Sequence, residues 1–417
     1  MSQRLSDIKD HLAPAKDSKA TLNALRNVKG PDDVVIVAAN RSAITRGFKG
    51  SLKDVNTDYM LVNFLSSFIQ QLPPALRDNL GLVEEITCGN VLNTGAGATE
   101  HRAAVLAAGF PYSTSFVAVN RQCSSGLTAT NDVANKIKVG QIDMGVAIGI
   151  ESMSKNYKNL NPLGSISEDL LQDKNAKKCL IPMGITNELV AAKFGVTREE
   201  QDEFAAVSNQ RAIAAIKQGL FEDEIIPLTT PDGNIVKRDE GPRDHVTGET
   251  LGKLKPAFIK DPSKNGTTTA GNSSQISDGV AAVLLARRSV AEAMGLPIMG
   301  RYLAFQCVGV PPEIMGVGPA FAIPKLLQHI NLTVDDIDIF EINEAFAAQC
   351  LFCMKKLGID PKKVNPRGGA IALGHPLGCT GARQIATLLR ELQPGQVGVS
   401  SMCIGTGMGA AAAFLRE

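Results

Sequence analysis

The chain has 417 residues, 44% of them hydrophobic and 20% charged, with a formal net charge of +1. That length allows about two or three domains around a large core, and the near-zero charge excludes nucleic acid or an anionic membrane as a bulk partner. No apolar run is long enough to span a membrane; Trp is absent, and 39 glycines predict many tight turns and close backbone approaches.

Residues 1–33 differ in character from the rest. The opening "MSQRLSDIKDHLAPAKDSKA" is charged and lacks the apolar core of a secretory signal. On a helix, Leu5, Ile8 and Leu12 share one face, with Arg4 and His11 beside it. The spacing Arg4-Leu5-x5-His11-Leu12 resembles an N-terminal peroxisomal targeting signal, which an import receptor reads as a helical face. The expectation is a peroxisomal matrix protein; the alternative is an amphipathic start that packs on the body. The C-terminal "FLRE" is not an SKL-type address.

The body opens at Val34 with the buried-strand run "VVIVAA", and helical and strand signals then alternate to about residue 152. They run "TDYMLVNFLSSFIQQL", "EEITCGNVL", "HRAAVLAAG", "TSFVAVN", "TATNDVANKIKVG" and "MGVAIGI", the pattern of an α/β sheet. From 153 to 276 the chain turns polar, Lys-rich and Gly/Pro-punctuated around one clear helix, "REEQDEFAAVSNQRAIAAIKQG", and reads as an inserted lid-like region. The apolar pattern returns over 277–295, and a last α/β segment covers 296–417, with strands at "DIDIFEIN" and "GVSSMCI". Two stretches echo each other: "VNRQCSSG…NDVANKIKVGQIDMGVAIGIESM" and "VNPRGGA…ARQIATLLRELQPGQVGVSSMCIGTGM". A duplicated α/β unit follows.

Eight cysteines, at 88, 123, 179, 307, 350, 353, 379 and 403, are scattered along the chain, which reads as free thiols rather than a disulfide framework or a metal site. Cys350-x-x-Cys353 lies in a helical stretch with no second pair and reads as core packing. Cys123 is different, because it sits where the strand Phe116–Val119 gives way to a helix of small residues. The unsatisfied N–H groups and dipole of a helix N-terminus favour a thiolate, which predicts a fall from about 8.5 toward neutrality. Gly126 would allow close backbone approach in the first turn. Alone, such a cysteine reads first as packing; to be a nucleophile it needs a base.

The five histidines make the search for that base short. His11 belongs to the N-terminal extension, His101 begins a helix, His245 lies in a polar loop and His329 ends an amphipathic helix. His375 stands between Gly374 and Pro376 on a second turn into a helix, where one neighbour frees the backbone and the other stiffens it. In "SSMCIGTGMGAAAAF", Cys403 ends a strand, and Gly405, Gly407 and Gly409 offer backbone N–H groups. The spacing is wrong for a dinucleotide fold, so what remains is a thiol beside amide donors, as an oxyanion requires. In "EINEAF", Asn343 follows a strand over 337–342 and reads either as a helix N-cap or as an amide that holds a water or a carbonyl.

Together, "NRQCSSGL", "GNSSQISDGVAA", "EINEAFA", "GGAIALGHPLGCTGAR" and "CIGTGMGAA", in this order, resemble the thiolase family. The resemblance covers the whole body. It implies an α/β thiolase fold of two similar βαβαβαββ halves, over 34–152 with 277–295 and over 296–417, in a five-layered α-β-α-β-α arrangement with 153–276 as loop domain. It further implies thiolytic cleavage of 3-ketoacyl-CoA by CoA. Cys123 would be the nucleophile, His375 its base, and Cys403 the second acid–base. Asn343 would hold a water, and the N–H groups of Cys123 and Gly405 would form an oxyanion hole. Ser274 would contact the pantetheine of CoA, and Phe346 would line the acyl pocket. Coenzyme A would be a co-substrate, with no permanently bound cofactor and no metal; the subunit would form a homodimer. The same residues leave open an acetoacetyl-CoA-forming acetyltransferase, a non-catalytic acyl-CoA or lipid carrier, and a cysteine hydrolase. Decarboxylating condensing enzymes pair the reactive cysteine with two histidines, where this chain has Asn343 and Cys403.

Overall fold

The computed structural model describes residues 17–160, 166–259 and 266–417. Arg4, Leu5, His11 and Leu12 lie outside the described residues. The first described element is helix α1 (Ser18–Asn27), capped by Asp17, whose carboxylate accepts from Ala20 N at 3.0 Å. Its Leu22 and Leu25 pack on the core of the second half of the chain.

The first half contributes strands β1 (Val34–Arg41), β3 (Glu85–Gly89), β4 (Ser115–Val119), β5 (Met144–Ser152) and β8 (Ser277–Arg287), in spatial order β1-β8-β5-β3-β4. A short β2 (Thr45–Arg46) pairs with β8. The second half contributes β9 (Gly300–Gly309), β10 (Ile339–Ile342), β11 (Val397–Ile404) and β12 (Met408–Arg416), in order β9-β12-β11-β10. The two orders match strand for strand, with antiparallel pairs first and parallel pairs last. The fifth strand of the second half is reduced to a single parallel bridge, Phe340 to Val364. Among the described residues, Val35 with Arg301 and Ile36 with Gly300 alone join the two sets into one continuous ladder.

Helices complete the layers. Helices α2 (Thr57–Gln71) and α3 (Ala98–Ala107) cover the outer face of the first sheet through Phe64, Phe68 and Val105. Between the sheets lie α4 (Ser125–Lys138) and a later helix, Thr380–Glu391, which join Leu127, Val133, Ile385 and Leu388 into the central core. Burial on both faces explains why β5, "MGVAIGIES", carries no alternating polar face.

Over 153–276 the chain leaves the sheet and forms α5 (Met183–Phe194), α6 (Arg198–Lys217) and a small hairpin of β6 (Leu228–Thr229) with β7 (Ile235–Val236). Helix α6 starts at a capping box, where Thr197 accepts from Glu200 N and Glu200 accepts from Thr197 N. Its small residues Ala205, Ala206, Ala212 and Ala215 allow close packing against Ala347, Ile371, Ala372 and Leu373 of the second half. The outer layer of that half comprises α7 (Pro319–His329) and α8 (Ala347–Leu357); the central helix Thr380–Glu391 is α9. Cys350 and Cys353 are buried in α8, as packing residues would be.

Candidate active site

Cys123 lies on the five-residue turn between β4 and α4, with Gln122 before it in the left-handed region at φ 48°. A non-glycine residue held there marks a locally over-determined backbone. The thiol is half-buried and packs among Leu92, Met153, Leu377 and Ile276. The backbone N–H groups of Cys123 itself and of Gly405 both act on its sulfur and favour the thiolate, yet burial outweighs them and pushes the thiol up to about 11. The expected fall toward neutrality is therefore corrected: the donors are present, but the site is drier than a solvated helix end. At rest Cys123 is a neutral thiol, so its attack needs a base.

His375 stands on the turn that leads into α9 and is 5% exposed. Its Nδ1 lies 2.6 Å from Thr380 Oγ1, and the Thr380 hydroxyl donates to Pro376 O at 3.1 Å. With its proton committed to Pro376, the Thr380 oxygen accepts from Nδ1–H, which leaves Nε2 unprotonated, as the accepting nitrogen. Asn343 Nδ2 donates to that Nε2 at 3.3 Å. Burial, reinforced by Arg383, pushes His375 down to about 3, so the ring is a neutral base at any working pH. Gly374 permits this turn: it has φ 110°, and a Cβ there would lie 2.2 Å from Ser277 Oγ.

The two turns touch directly. A Cβ on Gly126 would come within 2.6 Å of Gly378 O, so glycine at 126 lets α4 meet the turn that carries His375. Cys403 is fully buried near the end of β11, and burial together with Cys123 raises its thiol well above the ordinary range. The glycine run behaves unevenly. Gly407 N donates to Ile404 O at 3.3 Å and Gly409 is paired within β12 opposite Cys403, so of the three expected donors only Gly405 faces the site.

Asn343 is 1% exposed and is not an N-cap; helix α8 is capped at Phe346. Its Oδ1 is a buried acceptor with no protein partner among the described residues, as suits a site for a water or a donor group. Phe346 packs with Met183, Met315 and Cys403. Ser274 sits alongside, with its N–H donating to Ala345 O at 3.0 Å, while Ser273 bridges to Phe346. The structure thus gathers Cys123, Gly405, His375, Cys403, Asn343, Phe346 and Ser274 around one centre. His101 is elsewhere: buried, it lies 3.0 Å from Thr57 Oγ1 and is held neutral by burial down to about 4. His245 is exposed. Among the described residues no cluster of His, Cys, Asp or Glu is placed to hold a metal ion.

Sequence reasoning missed Thr380, which sets the imidazole tautomer, and two buried carboxylates. Glu344 accepts from Ser208 Oγ at 2.6 Å, Asn365 Nδ2 at 2.8 Å and Ile371 N at 3.2 Å, which ties α6 to the second half. Glu151 ends β5 among small residues; the only sequence signal was an acidic residue at the end of an otherwise apolar run.

A thiol and a neutral imidazole on adjoining turns, with amide donors on the sulfur, are equipped to receive an acyl group and pass it on. The class is an acyl-transferring enzyme that works through a cysteine. The chain belongs to the thiolase family: residues 34–289 match the thiolase N-terminal domain and residues 296–416 the thiolase C-terminal domain. It is 69% identical to the peroxisomal 3-ketoacyl-CoA thiolase of Saccharomyces cerevisiae, over 100% of both chains. The solved dimeric peroxisomal thiolase of that yeast superposes with a TM-score of 0.92 over 95% of this chain and 100% of that one. An acetyl-CoA acetyltransferase from Bacillus anthracis, 36% identical, superposes with a TM-score of 0.83 over 92% of this chain and 99% of that one.

Proposed function

We propose that this chain is a peroxisomal enzyme that cleaves 3-ketoacyl-CoA with CoA, giving acetyl-CoA and an acyl-CoA shortened by two carbons, the last step of fatty-acid β-oxidation. Its thiolase domains and its likeness to peroxisomal relatives support the reaction and the compartment. The steps follow from the residues. His375 Nε2 takes the Cys123 proton as sulfur attacks the C3 carbonyl, and the N–H groups of Cys123 and Gly405 stabilise the oxygen that becomes negative there. The C2–C3 bond then breaks, leaving an acyl group on Cys123 and an enolate of acetyl-CoA. His375, with a water held by Asn343, cradles the enolate oxygen, and Cys403 gives its proton to the carbon. The incoming CoA thiol returns a proton to Cys403, attacks the acyl carbon and releases Cys123, which recovers its proton from His375.

An acyl-cysteine is itself a thioester, so its exchange with CoA is close to balanced; a serine ester would not offer that. Ser274 would meet the pantetheine arm and Phe346 the acyl chain, with CoA entering as co-substrate and no permanently bound cofactor required. A homodimer is supported by the dimeric yeast relative and by β4, the open edge of the ladder, which ends beside Cys123. Arg4, Leu5, His11 and Leu12 would be read by an import receptor.

The observation that carries this reading is a cysteine and a buried, neutral histidine on two turns that touch, where a Cβ on Gly126 would come within 2.6 Å of Gly378 O. A chain-length series of 3-ketoacyl-CoA substrates tests it: activity with 3-ketohexadecanoyl-CoA should match or exceed that with acetoacetyl-CoA and should require free CoA. Strict preference for acetoacetyl-CoA would instead indicate the acetyltransferase, and consumption without CoA a hydrolase.

A further inference from the structure

Glu151 is fully buried at the end of β5 and takes part in none of the steps above. N–H donors surround its carboxylate. Oε1 accepts from Asn90 Nδ2 at 3.1 Å and Leu92 N at 3.2 Å, and Oε2 accepts from Val91 N and Gly378 N, both at 3.0 Å. The donors belong to different halves of the molecule. Residues 90–92 form the turn after β3, and the Leu92 side chain packs beside Cys123. Gly378 comes from the second half, three residues after His375 in the turn that ends at α9. The carbonyl of Gly378 is gripped as well, because a Cβ at Gly126 or Gly149 would come within 2.6 or 2.4 Å of it.

Burial pushes the Glu151 carboxyl up to about 7, and the hydrogen bonds from its donors, all of them neutral, work against that rise by favouring the ionised form. Each backbone donor would lose its acceptor if the carboxylate were removed.

We propose that Glu151 is a positioning residue for the reaction: its carboxylate ties the turn bearing His375 to the turn bearing Leu92, and so fixes base against nucleophile across the boundary between the halves. This rests on the reading of Cys123 and His375 as nucleophile and base. A carboxylate suits the task because it has two acceptor oxygens and no donor. In Glu151→Gln one oxygen becomes an NH2 group that faces two further N–H donors, so two of the four bonds are lost and the turns separate. Glu151→Asp keeps the chemistry but withdraws it by one methylene.

The test is steady-state thiolysis by the full chain, with wild type measured beside E151Q and E151D. E151Q should lose about 100-fold in kcat, the usual effect of misplacing a base by about 1 Å, while KM for both substrates stays within about threefold. E151D should recover part of the loss. A kcat for E151Q within about twofold of wild type, or a loss confined to KM, would overturn the proposal. Should E151Q fail to fold, Asn90→Ala carries the test: it removes the Asn90 Nδ2 donor to Glu151, together with the bonds from Asn90 Nδ2 to Ile150 O and from Asn93 N to Asn90 Oδ1, and should lower kcat at least about fivefold with KM unchanged, whereas an unchanged kcat would overturn the proposal. A wild-type chain without CoA-dependent cleavage overturns the reading of the site beneath it; an active wild type with an unimpaired E151Q overturns the positioning role alone.

Discussion

The two halves make the same crossover, from the outermost parallel position of the sheet into the central helix, and in the proposed reaction it carries the opposite partners of one proton transfer. In the first half the crossover is short, from β4 at Val119 to α4 at Ser125, and carries Cys123. In the second it is long, from the bridge at Val364 to α9 at Thr380, and carries His375. A short turn fixes its residue with its own backbone: Gln122 is held at φ 48° and Ser124 N donates to Arg121 O at 3.1 Å. The long turn is held partly from within, by Gly374 at φ 110° and the bond from Cys379 N to Pro376 O, and partly by its neighbours, Thr380 at the start of α9 and Glu151, which accepts from Gly378 N. The difference teaches that the duplicated topology delivers two side chains to one place, while loop length decides how each is held.

The comparison can be broken most severely at the short turn. Cys123→Ser should lower thiolysis by at least about 10^4-fold, because the proposed reaction builds its acyl intermediate on that sulfur, and rapid-quench assays would detect any residual rate. At the long turn, Thr380→Val removes the oxygen that fixes the His375 tautomer. It should lower kcat about 10–100-fold with little change in melting temperature, so a kcat equal to wild type would show that the ring needs no such steering. Where the turns meet, Gly126→Ala sets a methyl group against Gly378 O; overpacking there should cost about 1–3 kcal/mol in denaturant unfolding.

The last effect concerns pH. His375 and His101 are held neutral by burial down to about 3 and about 4, below the value near 6.5 of an unfolded chain. Their contribution to stability is full above about pH 6.5 and is lost as pH falls through those lower values, by at most about 1.4 kcal/mol per pH unit for each ring. His101→Gln should therefore flatten the acid limb of thermal stability between pH 6.5 and 4, and an unaltered limb would mean that the burial of His101 does not set it.

Much of the crossover pair was legible in the sequence because local chemistry marked it. The echoed Val-Asn of 119–120 and 364–365 is structural: Asn120 Nδ2 donates to Val91 O at 3.0 Å and Asn365 Nδ2 to Ile342 O at 2.8 Å, each stitching its turn to the neighbouring strand end. Glycines beside Cys123, His375 and Cys403 announced turns, and the central helices followed from their small and apolar residues. The direction of the Cys123 shift was not legible, since a helix start predicts a lowered thiol and only the packing of Leu92, Met153, Leu377 and Ile276 around it reveals the opposing burial. Glu151 was equally hidden. Its partners at 90–92 and 378 are distant in the chain, and no spacing rule links them.

The most direct test of the shared site is to quench the enzyme during turnover of a 3-ketoacyl-CoA and locate the acyl group by peptide mass spectrometry. The acyl mass should sit on the peptide containing Cys123, vanish on a chase with CoA, and form far more slowly in His375→Asn. An acyl group on Cys403, or one that water removes as fast as CoA, would contradict the division of labour between the two turns.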